Sequence, residues 1–329
     1  MSVTVSIILC TCNRADSLRA TLESFASLEI PADLPAELVV VDNGSTDHTR
    51  DVVSRASLVN IDLRWVPEPR RGKGYAYNTG MRAATGDVLL FTDDDVRVPQ
   101  DWVAGMCRPI VDGVADAVAG GVRLAPHLLR PWMTPLHRSW LASTEFLNPQ
   151  APEEMVGANM AFSRRVLDRV PEFDVELGPG ARGFADESLF SWQLLRAGFR
   201  LAPAFHVVVE HHVDPGRLSR ASFEAMARSR GRCEAYLRHH WEHDGWPHPR
   251  LHRALSVARL WATRVVRWRE TMQAEGMAEW EMYLLRHIQT LQSWPAEVAR
   301  PRAYDQFGLV KRRRAPTDPH QSASPESTA

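Results

Sequence analysis

The chain has 329 residues, 44% of them hydrophobic and 24% charged, enough apolar content to bury a sizeable core in one large domain or a domain with an appendage. Its 39 Lys and Arg nearly balance 40 Asp and Glu, so no global field marks it as a nucleic-acid binder. Four cysteines without zinc or disulfide-framework spacing, no run near the roughly 20 apolar residues of a membrane span and no signal-peptide pattern at the start predict a reducing, cytoplasmic setting.

Val3 to Cys10 is a β-branched apolar run, and Ala15 to Ser27 follows with Leu18, Leu22 and Phe25 at helical spacing. The pattern repeats. ELVVVD at Glu37–Asp42 precedes a helix-like Asp47–Ala56, Asp62–Val66 precedes Tyr75–Ala84, and DVLLF at Asp87–Phe91 makes a fourth strand. Strands alternating with helices predict an α/β, Rossmann-like, mostly parallel sheet flanked by helices, with ligands beyond the carboxyl ends of the strands. The polar residues directly after each strand should therefore converge: Thr11 and Asn13, Asp42–Asp47, and Asp93–Asp95.

Residues 124 to 155, rich in proline, histidine and tryptophan, read as an irregular excursion or lid. From Arg217 the texture turns helical. Met277, Trp280, Leu284, Ile288 and Leu291 form one stripe, and Leu255–Trp268 is amphipathic with Arg253, Arg259, Arg264 and Arg267 grouped apart from its apolar arc. The expected division is a domain over 1–216 (a nucleotide-binding half, 1–123, and an acceptor or catalytic half, 124–216), a helical extension over 217–310 and a disordered tail over 311–329.

FTDDDVRVP at Phe91–Pro99 sets three carboxylates after a buried strand with no cation among them, a self-repelling cluster that a divalent metal bridging two phosphates would resolve. Asp42 ends a strand and opens the Asn43-Gly44-Ser45 turn, a position suited to a base or ribose. Arg70, Arg71, Gly72, Lys73 and Gly74 form a basic, glycine-flanked loop without Walker spacing. Asp186 and Glu187 open an apolar helix, which reads either as a dipole complement or as a base for a hydroxyl nucleophile. VVVEHHV at Val207–Val213 ends in two histidines, one of which suits a metal shell.

In order and spacing, SIILCTCNR, VVVDNGSTD, the RRGKG loop with Asn78 and Gly80, TGDVLLFTDDD, GANMAF, ADESLFSWQLLRAG and the closing HH resemble the inverting family 2 glycosyltransferases of GT-A fold, over about residues 3 to 215. The resemblance implies that Thr11, Asn13, Arg14, Asp42, Lys73, Asn78, Asp93, Asp94, Gly157 and Asn159 bind a nucleotide-diphosphate sugar, with a UDP-sugar favoured. It implies Mn2+ or Mg2+ at Asp95, Asp93 and His211, and a catalytic role for Glu187 with Asp186 beside it. Glu187 stands where the family carries aspartate, so the choice between the two carboxylates stays open.

Trp132 and Trp140, with His127 and His137, are candidates to stack on the acceptor, a saccharide, lipid-linked sugar or small molecule. Residues 253–269 suit peripheral contact with the inner face of a membrane. Two rival readings are a nucleotidyltransferase, which lacks its expected glycine-rich N-terminal signature here, and a non-catalytic nucleotide-sugar binder, which would have no use for a base.

Overall fold

The computed structural model describes residues 3–59 and 61–312. In chain order the first half runs β1 (Val5–Thr11), α1 (Ala15–Phe25), β2 (Ala36–Asp42), α2 (Thr49–Arg55), β3 (Ile61–Pro67), α3 (Lys73–Ala83), β4 (Val88–Asp93), β5 (Val96–Arg97) and α4 (Trp102–Val111). The second half runs β6 (Ala117–Leu124), α5 (Pro135–Trp140), β7 (Met160–Ser163), α6 (Asp186–Arg196), β8 (Leu201–His211), α7 (Arg220–Leu237), α8 (Pro249–Val266), α9 (Trp268–Thr271) and α10 (Glu279–Val298). Among the described residues eight strands join in one sheet of order β3-β2-β1-β4-β7-β6-β8-β5.

The first four strands pair parallel. Both faces of β1, β2 and β4 are buried, which is why these strands read as continuous apolar runs, whereas β3 at the sheet edge is mixed. Ile7 and Leu9 turn toward Leu18, Phe25 and Trp102 on one side, and Ile8, Val39 and Val41 turn toward Tyr77, Met81 and Phe162 on the other. Gly80 lets α3 lie close, since a Cβ there would sit 2.5 Å from the Ile8 Cγ2. The matched register aligns Thr11 with Asp42 and Cys10 with Asp93, so three polar strand ends emerge side by side.

The second half departs from a simple parallel sheet. β7 runs antiparallel between β4 and β6, and the two-residue β5 pairs Val96 with His211 at the end of β8. That pairing brings a residue more than a hundred positions away beside the acidic triplet.

The helices after residue 217 pack as a layer on the cavity side. Met277, Ile288 and Leu291 of the expected stripe are buried, with Trp280 and Leu284 half-buried against the same cluster. The tail does not begin at Lys311: its Nζ lies 2.5 Å from Asp174 and 3.0 Å from Glu176, a carboxylate pair that outcompetes solvent for the ammonium. The rest of the expected tail, 313–329, lies outside the described residues. Helix α8 is largely exposed. Leu260 is its only fully buried residue, while Leu251, Leu255, Trp261, Val265 and Val266 are between 58% and 80% exposed.

Candidate active site

A cavity of about 1150 Å3 opens at the carboxyl ends of the strands. Thr11, Cys12, Arg14, Asn43 and Arg71 line one end, Asp93–Asp95, Lys73 and His211 its middle, and Trp140, Glu154, Phe184, Asp186, Glu187 and residues of α7 the other.

The acidic triplet is held from several sides. Thr11 donates to Asp94 at 2.7 Å, and Arg14 bridges Asp94 at 2.7 Å and Asp95 at 2.6 Å. Burial pushes the Asp94 carboxyl up, against the pull of Arg14 and with the repulsion of Asp95, to about 7. His211 Nδ1 lies 3.1 Å from the Leu141 carbonyl, and its Nε2 faces Asp95 Oδ1 at 3.0 Å. That carboxylate oxygen is buried without a hydrogen-bond donor.

Asp93, Asp95 and His211 thus offer three ligand atoms within 4.8 Å of one another. One is an orphaned oxygen, and the histidine is oriented through its other nitrogen, the usual arrangement of a metal-binding imidazole. The donor set fits a divalent cation such as Mn2+ or Mg2+.

Lys73, at the start of α3, places Nζ 2.9 Å from Asp93 and 3.1 Å from Glu187. Burial acts against its charge, but Asp93 and Glu187 overcome it and hold the ammonium well above its usual range. The loop before it is pinned by Asn43, which accepts from the Gly72 amide and donates to the Glu68 and Arg70 carbonyls. Gly157 creates the room where these groups meet. A Cβ there would lie 2.2 Å from the Tyr77 hydroxyl, 2.4 Å from Glu187 and 3.0 Å from Lys73.

Asp186 and Glu187 start α6, after Ala185 in the left-handed conformation (φ 71°). Although adjacent, they sit in different fields. Asp186 is buried with neither carboxyl oxygen hydrogen-bonded, and burial, then the charge of Glu187, holds its pKa well above the usual range. Burial also opposes ionisation of Glu187, but Lys73 outweighs it, and Glu187 stays below its ordinary value as a carboxylate.

Two residues expected at the ligand, Asn78 and Asn159, stand behind the cavity wall instead. Asn78 exchanges two hydrogen bonds with the Phe173 backbone, and Asn159 binds Trp102 Nε1 and the Gly121 and Val207 carbonyls. Buried side-chain amides committed to the protein backbone and to Trp102 are held away from the cavity. Asn13 and Asp42 accept from the Thr46 and Ser45 amides, shaping the turn behind Asn43.

Of the aromatic candidates Trp140 lines the cavity, whereas Trp132 packs on His137, Phe223 and Gly276. His137 itself caps α5 through Thr134 and bonds the Met277 carbonyl. Arg217 and Arg230 line the cavity unheralded, because no strand end or motif flags them in the sequence.

The curled sheet and its flanking helices are those of the GT-A fold. A mannosyltransferase from Pyrobaculum calidifontis, solved in complex with GDP-Man and Mn2+, matches with a TM-score of 0.58 at 21% identity over 90% of this chain and 88% of its own. The 1–349 portion of S. aureus TarS in complex with UDP-GlcNAc gives 0.50 at 18% identity over 69% and 65%. The pattern of glycosyl transferase family 2 matches residues 6–170, half of the sequence, and the chain belongs to that family.

Among curated relatives, the glycosyltransferase AglE of Haloferax volcanii is 30% identical over 36% of this chain and 39% of its own. Glucosyl-3-phosphoglycerate synthase of Mycolicibacterium smegmatis is 29% identical over 53% and 62%. The chain spans less than two thirds of the length of either relative.

Proposed function

We propose that the protein is an inverting glycosyltransferase that moves a sugar from a nucleoside diphosphate, with UDP-sugars first to be tried, to an acceptor hydroxyl. One observation carries this reading. A metal-competent Asp93–Asp95–His211 cluster and an ionised Glu187 face the same cavity, joined through Lys73.

The Thr11, Cys12, Asn43 and Arg71 end suits the nucleoside, and the glycine-flanked loop at Lys73 suits close approach of phosphates. Asp93, Asp95 and His211 would hold a divalent cation, whose Lewis acidity offsets charge growing on the leaving diphosphate. Lys73 adds fixed positive charge at the same place in a dry site, where preorganised charge acts most strongly. Glu187 accepts the acceptor's hydroxyl proton as oxygen attacks the anomeric carbon. Burial and the charge of Glu187 disfavour ionisation of Asp186, which limits negative charge beside the base.

The Mn2+-bound mannosyltransferase and UDP-GlcNAc-bound TarS are consistent with a donor of this class. The test is a thermal-shift screen of nucleotide sugars with and without Mn2+, followed by release of the nucleoside diphosphate. Stabilisation by none of them, or normal metal-dependent turnover in Asp95→Ala, would overturn the assignment.

A second observation bears on where the enzyme works. No described helix is long and apolar enough to cross a membrane, yet α8 presents Leu251, Leu255, Ala258, Ala262 and Val265 on one outward face. Leu260, half a turn away from Leu251 in projection, faces the protein. Residues 245–269 contain six arginines and no acidic residue. Arg264 pairs with Glu281 and Arg267 with Glu270, and the exposed apolar arc with the remaining arginines fits the surface of an anionic bilayer, which flotation with anionic vesicles tests.

A further inference from the structure

Beyond the carboxylate pair, away from the nucleoside end, the cavity wall holds an arginine that nothing so far employs. Arg230, on α7, sets its guanidinium 4.3 Å from the centre of the Phe184 ring and 4.9 Å from that of Trp140. Stacking between two rings fixes the plane and leaves the N–H edges to find partners. Among the described residues Arg230 makes no ion pair, and its Nε is buried without an acceptor.

Its neighbours are different. Arg286 is bonded to Glu234, Arg228 to Glu224 and Arg182 to Glu297. Glu154, which shares the cavity, is engaged by the Ser188 hydroxyl. Burial, then the charge of Arg286, pushes the Arg230 guanidinium down to about 10 against the weaker pull of Glu154. Arg217, closer to Asp95, is half-buried and likewise without an ion pair among the described residues.

A half-buried guanidinium without an ion pair, its Nε shut away from solvent, is costly unless a ligand completes it. Phe184 stands two residues before Asp186, and Ser229 packs against Gly183, so the Arg230 edge opens on the same space as Glu187. Resting on the glycosyltransferase reading, we propose that Arg230 is an acceptor-binding residue that recognises an oxyanion, carboxylate or phosphate, on the molecule whose hydroxyl is presented to Glu187. The acceptor class is then a hydroxyl compound bearing an acid group rather than a neutral sugar.

The test uses the full chain with UDP or GDP and Mg2+ filling the donor end, titrated calorimetrically with inorganic phosphate. Phosphate binding should weaken at least tenfold in Arg230→Gln and recover in part in Arg230→Lys, which restores the charge but not the fork. Lactate and glycerol 3-phosphate should compete with phosphate, the stronger naming the acid group, while glycerol should not. In the native chain, phosphate should slow modification of Arg230 by phenylglyoxal, followed by peptide mass, a readout that needs no variant to fold.

Equal phosphate affinity in wild type and Arg230→Gln, no phosphate binding to wild type, or competition by neither acid would overturn the proposal. If no nucleoside diphosphate binds, the donor reading fails separately, because the same titration without nucleotide still reads Arg230.

Discussion

Exchanging Glu187 for glutamine removes a charge while keeping shape, and the structure fixes what should follow. Lys73 keeps Asp93 at 2.9 Å but loses its second carboxylate, so the donor end of the cavity changes little. The proton acceptor is gone. General-base catalysis is worth about 10² to 10⁴ in rate, or about 3 to 5.5 kcal/mol at 1.36 kcal/mol per decade. The matching exchange Asp186→Asn keeps shape at a group whose ionisation burial and Glu187 disfavour. It should cost about 1 kcal/mol, the worth of altered hydrogen bonding, or roughly tenfold at most. Steady-state release of the nucleoside diphosphate, with a calorimetric donor affinity for each variant, separates the two. Equal losses in both variants, or Glu187→Gln within threefold of wild type, would refute the assignment of the base to Glu187.

Four further outcomes are expected. Mn2+ with a nucleoside diphosphate should raise the melting temperature of the wild-type chain but leave Asp95→Ala unmoved, since that variant keeps only Asp93 and His211 of the cluster; equal shifts would place the metal elsewhere. Asn159→Ala should destabilise by about 3 kcal/mol or more in denaturant unfolding, leaving three buried partners unmet at about 1–3 kcal/mol each, with nucleotide affinity intact; lost affinity at full stability would make it a ligand residue. With burial overcome by Lys73, Glu187 is held below its ordinary 4.5, so in Asp94→Asn, which removes the carboxyl pushed up to about 7, kcat/KM should fall on the acid side only as pH drops below 4.5; an acid limb near neutrality in that variant would contradict it. Replacing Trp261 and Val265 together with glutamate should abolish flotation on anionic vesicles, and unchanged flotation would remove α8 as the contact.

The parallel half of the fold was legible in the sequence because strands buried on both faces leave apolar runs, and Thr11, Asp42 and Asp93 mark where they stop. The acidic triplet and His211 were legible as residue types, but their proximity depends on the two-residue β5, too short to leave a pattern. Asn78 and Asn159 show the limit of motif reading: their motifs recur at the site, yet the side chains serve Phe173 and the Trp102–Gly121–Val207 junction. Asp186 and Glu187 were indistinguishable as neighbours in a string, and only the burial of one and the Lys73 contact of the other separate them. Arg230 left no trace, since what distinguishes it is the absence of a partner supplied by distant chain.

The antiparallel insertion of β7 has a mechanical result. Its ladder to β4 runs from Val88–Ser163 to Phe91–Met160, and Thr92 adds a bond to the Ala158 carbonyl, so the segment carrying Gly157 is clamped to the strand carrying Asp93. Nucleotide side and acceptor side cannot drift apart by local fraying: amides of 160–163 should exchange with deuterium only at the rate of global opening, and the reacting groups keep their spacing for as long as the molecule stays folded.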